Sequence, residues 1–309
     1  MPFESSRKQC GPDTGGLRPR YWSYESDCNP TAFLGNSRYV DLLESGHTKN
    51  GLYWQVKGEG RAVLFIHAGV ADSRMWRDQM DLAGFRCVVF DQRGFGQTPW
   101  VSGSYADWRD ALEVLDHLQI ESAVVVGCSL GGGIAMHLAL SVPERVDGLV
   151  LIGAAARGWE PKDGWTEIPE VDEAEAASAA GDVERVLELE AAIWLAGLGR
   201  SLDDIDPSLV KLFIEMDRIP AVTEVERNRH VESFDPPTNE SLDEINAPTL
   251  IMVGAYDLAE MLESARYLAV RLSDQPAIVV EDAAHLPSLE QPDRVNKALL
   301  AFLNSRVRS

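Results

Sequence analysis

The stretch Gly127-Cys128-Ser129-Leu130-Gly131 sets one hydroxyl between glycines, and Gly132 and Gly133 follow it. A serine attacks a carbonyl carbon when a base activates it, and one held in a strained turn needs small neighbours to avoid clashes. Taken alone, the pattern also describes a plain glycine-rich turn. Its setting narrows the choice. Residues 122–128 (SAVVVGC) read as a buried strand, and Ile134, Ala135, Leu138 and Ala139 read as a helix face. Strand, turn and helix in that order are the context a nucleophile elbow needs. The helix N-terminus behind it favours the negative charge that develops there.

The base must come from six histidines: His47, His67, His117, His137, His230 and His285. His285 follows the last strand pattern, in Asp282-Ala283-Ala284-His285-Leu286-Pro287, and so falls in a loop at the carboxyl end of a sheet, where open α/β sheets assemble their sites. It is the candidate base. Asp257 follows the preceding strand pattern and is the candidate acid that orients it. Asp282 is the rival. Asp257 would also suit the N-cap of a helix starting near Leu258. The order is then Ser129, Asp257, His285. Two backbone N–H groups must receive a developing oxyanion. Leu130 supplies one, and Gly69, in the loop His67-Ala68-Gly69-Val70, supplies the other. His67 reads as a brace for that loop. The segment Asp91-Gln92-Arg93-Gly94-Phe95-Gly96 reads as loop architecture, with an Asp91–Arg93 ion pair expected. It lacks the Lys-Ser/Thr ending of a phosphate-binding loop.

These residues need a scaffold. Strands are predicted over 51–57, 62–67, 86–91, 122–128 and 146–152, with helices over 74–82 and 105–118 between them. Such alternation gives right-handed crossovers and a mostly parallel sheet flanked by helices. From about 155 to 239 the pattern turns helical and acidic. Strands then resume at 249–254 and 277–281, followed by helices at about 258–272 and 293–303. The organisation is therefore an α/β core over 46–154 and 240–309, interrupted by a helical cap over 155–239. Residues 1–45, rich in Gly, Ser, Pro and charge, read as a loosely ordered tail, with an arm over the site as the alternative. Trp159, Trp165, Trp194, Phe213 and Met216 are the candidate pocket residues in the cap, since large apolar side chains line small-molecule pockets. They serve equally to pack the cap against itself.

The chain has 309 residues and a net charge of −21, which disfavours nucleic acid and anionic membranes as partners. The N-terminus has no apolar stretch of signal-peptide length and no later run approaches the length of a membrane span, so a cytoplasmic location is expected. Cys87 and Cys128 fall in buried strands as small hydrophobes. Cys10 and Cys28 would pair only in an oxidising compartment, and no zinc spacing is present.

Together, His67-Ala68-Gly69, Asp91 to Gly96, Gly127 to Gly132, Asp257 and His285-Leu286-Pro287 resemble the α/β-hydrolase superfamily over about 51–303. The resemblance is to its capped bacterial carboxylesterases and 3-oxoadipate enol-lactonase-like hydrolases. It departs in having Ala68 where His-Gly is usual. The resemblance implies the α/β-hydrolase fold and cleavage of a small carboxylic ester or lactone through an acyl-enzyme, with no metal and no organic cofactor. Cleavage of a C–C bond, or a cofactor-free perhydrolase reaction, would use the same triad. A non-catalytic ligand-binding homologue is the reading from another class. A homodimer is left open.

Overall fold

The computed structural model describes residues 43–223, 231–232 and 236–305. Nearly all of the predicted tail therefore lies outside the described residues, with its arm reading and the Cys10–Cys28 pairing. So does His230.

Eight strands form one sheet: β1 (Glu44–His47), β2 (Tyr53–Lys57), β3 (Arg61–Ile66), β4 (Phe85–Phe90), β5 (Ala123–Cys128), β6 (Val146–Ile152), β7 (Thr249–Gly254) and β8 (Ile278–Val280). Their order across the sheet is β1-β2-β4-β3-β5-β6-β7-β8. The β1–β2 and β2–β4 pairs are antiparallel, and the others are parallel. The central strands are apolar throughout because both faces are covered. Leu64 and Ile66 of β3 face one core layer. Val63 and Phe65 face the other. The first layer is closed by α1 (Asp107–His117) and α2 (Leu130–Ser141), and the second by residues that include Met75, Trp76, Val295 and Leu299.

Between β6 and β7 come α3 (Pro169–Ala180), α4 (Val183–Glu190) and α5 (Pro207–Asp217). Helix α4 runs directly into a π-helical turn, Ala191–Ala196. After β7 comes α6 (Ala259–Leu272). One helical turn (Pro287–Glu290) and α7 (Pro292–Ser305) close the described chain.

Three details differ from the sequence reading. Strand β1 was not anticipated, since Glu-Ser-Gly-His carries no apolar alternation; its pairing with β2 creates it. The helix predicted over 74–82 is only a 3-10 turn, Ser73–Trp76, capped by the Asp72 carboxylate at 3.0 Å from the Arg74 N–H. Beyond it the chain winds mainly through tight i to i+3 bonds, such as Gln79 N–H to the Trp76 carbonyl at 2.9 Å. Arg93 pairs with Asp110 at 2.7 and 2.8 Å, not with Asp91. Asp91 instead accepts the N–H groups of Ser73 and Gln97 at 2.8 and 2.7 Å.

Cys87 and Cys128 are fully buried in the second core layer. Burial pushes the Cys87 thiol up to about 12 and the Cys128 thiol higher still. Since only the thiolate reacts readily, both should escape maleimide in the native protein and react fully in denaturant. Peptide mapping by mass spectrometry checks this, and native-state modification of either would contradict the packing.

Candidate active site

The three predicted triad residues and the predicted oxyanion glycine each follow the carboxyl end of a strand: Gly69 after β3, Ser129 after β5, Asp257 after β7 and His285 after β8. Parallel strands bring these four loops to one edge of the sheet. Ser129 occupies the turn between β5 and α2 with φ 53° and ψ −117°, a left-handed conformation that costs a non-glycine residue on the order of 1–3 kcal/mol. The turn is held by the Ser129 N–H on the Ile152 carbonyl at 2.9 Å and by the Gly132 N–H on the Ser129 carbonyl at 2.9 Å. The flanking glycines are required by space. A Cβ on Gly127 would lie 2.6 Å from the Gly132 nitrogen, and one on Gly131 would lie 2.7 Å from the His67 carbonyl oxygen.

The His285 and Asp257 side chains are buried against each other, with Nδ1 2.9 and 3.0 Å from the two carboxylate oxygens. Asp257 also accepts the Leu258 N–H at 2.8 Å. It does not cap the following helix, whose N-cap position is Leu258. The rival Asp282 is exposed and pairs with Arg294 at 3.2 Å. Trp194, in the π-helical turn, lays its ring 4.6 Å from the imidazole, and its carbonyl receives the His285 N–H at 3.2 Å.

His67 is wholly buried. Its Nε2 accepts the Gln92 N–H at 3.0 Å, which puts the proton on Nδ1, 2.8 Å from the Ala68 carbonyl. The Gln92 side chain reaches the His67 carbonyl at 2.8 Å. The histidine thus braces the loop that carries Gly69. A Cβ on Gly69 would meet Leu130 at an ordinary 3.7 Å. This glycine widens the site; close backbone approach does not demand it.

A cavity of about 350 Å³ opens at this edge. Gly69, Val70, Ser129, Leu130, Trp194 and His285 are among its walls. A second cavity of about 490 Å³, between α3 and α4, shares Glu190, Trp194 and Ala221 with the first. Among the described residues, no cluster of three or more His, Cys, Asp or Glu side chains is placed to hold a metal ion.

A family model for the alpha/beta hydrolase fold matches residues 61–292. The chain belongs to that family. It is 27% identical over 255 residues to a pimeloyl-acyl-carrier-protein methyl ester esterase of Pectobacterium carotovorum, covering 81% of this chain and 98% of that one. It is 27% identical over 249 residues to 3-oxoadipate enol-lactonase 1 of Acinetobacter baylyi, covering 79% and 89%. Among solved structures, a thermophilic esterase from Thermogutta terrifontis superposes with a TM-score of 0.68 at 25% identity, covering 86% of this chain and 100% of that one. Hydrolytic chemistry therefore comes with the alpha/beta hydrolase family, and among the described residues no helix is long and apolar enough to cross a membrane.

Of the five apolar residues predicted to line the pocket of this hydrolase, only Trp194 is among the cavity walls. Phe213 and Met216 are wholly buried in the second core layer. Trp159 packs against Trp165 and Tyr267, at ring distances of 6.0 and 6.2 Å, and Trp165 is itself exposed. The walls that sequence reasoning missed include Glu190, Asp217, Pro220 and Ala221. Two of these are carboxylates, and a search for large apolar residues passes over them. The one signal available was position: Glu190 lies one helical turn before Trp194.

Proposed function

We propose that this hydrolase cleaves small carboxylic esters or lactones through an acyl-enzyme on Ser129. The observation that carries the reading is the shared cavity. Ser129, in its strained turn, and His285, held by Asp257, line the same space. With Nδ1 committed to Asp257, the imidazole has Nε2 left to take the Ser129 proton as the oxygen attacks. Asp257 fixes that tautomer and stabilises the imidazolium. The N–H groups of Leu130 and Gly69 receive the oxyanion, each donor contributing roughly 10²–10³ in rate. His285 then activates the water that releases the acid. The helices between β6 and β7 act as a cap over this space. The esterase and enol-lactonase names of the relatives agree with the substrate class.

A fluorophosphonate probe followed by peptide mapping tests the nucleophile. A panel of p-nitrophenyl esters, lactones and thioesters tests the bond cleaved. Labelling confined to Ser129 and turnover of short esters or lactones are expected. No label on Ser129 and no turnover across the panel would refute the reading.

A further inference from the structure

The loop that carries His285 is tied to the helical segment by a buried ion pair between Glu290, five residues after the histidine, and the distant Arg200. Glu290 Oε1 accepts the Ala284 N–H at 2.8 Å, one residue before His285. Its Oε2 receives the Arg200 guanidinium at 2.7 Å, with both side chains largely buried. The rest of the guanidinium is occupied as well. Nε donates to the Ala196 carbonyl at 2.7 Å and Nη2 to the Leu195 carbonyl at 3.0 Å, both at the end of the π-helical turn. Nη1 reaches the Asp282 carbonyl at 3.4 Å, and the group lies 4.6 Å over the Tyr256 ring, beside Asp257 in sequence.

One cation therefore touches three pieces of the site at once: the turn that holds Trp194 on the imidazole, the loop before His285 and the loop before Asp257. The packing between them is close. At Gly197 the backbone has φ 72°, and a Cβ there would lie 2.6 Å from the Ala284 side chain. The Leu198 N–H bonds to the Tyr256 carbonyl at 2.8 Å. Arginine suits this work because its planar fork spreads five donors over three nitrogens, while an ammonium offers three from a single point.

We propose that Arg200 and Glu290 are positioning residues that set the His285 imidazole against Asp257 and Ser129. The proposal rests on the reading of His285 as the general base. Misplacement of a reacting group by an ångström costs up to about 10²-fold in rate, so Arg200→Ala should lower kcat roughly 10- to 100-fold with KM changed less than about threefold. Arg200→Lys should recover only part of the loss. A cavity of about 350 Å³ on the outer side is walled by Arg200, Tyr256, Asp282 and Glu290. It gives guanidinium ion, at millimolar concentration, a route to the vacated place, so added guanidinium should restore part of the Arg200→Ala rate.

Circular dichroism establishes that the variant folds. A kcat within twofold of wild type would overturn the proposal. So would a loss that disappears on cooling the assay well below Tm, since that marks general destabilisation. A second readout needs no turnover. With ¹⁵N-labelled histidine, the His285 Nδ1 proton held by Asp257 should give a low-field resonance in wild type that broadens in Arg200→Ala; an unchanged resonance also overturns the proposal. Absence of Ser129 labelling in wild type would overturn the reaction assigned above, and this resonance would still decide the role of the ion pair.

Discussion

Replacing Ser129 with alanine is expected to lower kcat on esters by about 10⁴- to 10⁶-fold. That is roughly 5–8 kcal/mol of transition-state stabilisation. Alanine leaves His285 and Asp257 in place with nothing to activate, while the N–H groups of Leu130 and Gly69 still polarise a bound carbonyl. The residual rate should therefore stay above that of water. KM should change little, because the hydroxyl adds little to ground-state binding. Alanine inherits the same φ of 53°, so Tm should stay within a few degrees. Fluorophosphonate labelling should vanish. Adding His285→Ala to the variant should cost little more, because groups that act as a unit lose their effect together. Undiminished turnover by Ser129→Ala would remove the nucleophile from the mechanism.

The largest effect on stability is expected from Gly131→Ala. The new methyl would fall 2.7 Å from the His67 carbonyl oxygen and from the Ile66 carbonyl carbon, and closer still to the Ile66 oxygen. These are backbone atoms of β3 and its exit, and they cannot rotate away as a side chain would. Helix α2 must lift off the sheet. Overpacking of this kind costs about 3 kcal/mol, the upper end of the usual range, which lowers Tm by roughly 5 °C in a chain of this size. The Leu130 N–H moves with the helix, so activity should fall about 10²-fold as well. Gly133→Ala is the control two residues on. Nothing lies within 4 Å of its Cβ, and exchanging a helical glycine for alanine should stabilise by up to about 1 kcal/mol. Thermal denaturation of the two variants side by side checks both signs. Equal melting temperatures would show that close approach at Gly131 is not what holds α2 in place.

The central sheet was legible because a strand buried on both faces leaves an unbroken apolar run, as in residues 62–66 and 123–126. Periodicity was less informative where tertiary contacts decide the backbone. The π-helical turn Ala191–Ala196 looks like ordinary helix in sequence, yet its carbonyls are drawn to Arg200 and its end turns back at Gly197. The loop positions of Asp257 and His285 followed from counting past strand ends, and the structure places the two side chains together. The cavity walls were not legible in the same way. Residue size gives no direction: Phe213 and Trp194 are both large, but one points into the core and the other onto an imidazole.

The positions of Asp257 and His285 also matter for the protein's synthesis. Both follow the last two strands of the sheet, and the Glu290 that anchors the histidine loop comes later still. A polypeptide leaves the ribosome N-terminus first, at about 5–20 residues per second. The serine turn between β5 and α2 thus emerges more than a hundred residues before the imidazole that would activate it. Throughout that interval the nascent chain carries an ordinary hydroxyl. On the reading of His285 as the general base, a truncated translation product ending anywhere before it would carry the serine without its base.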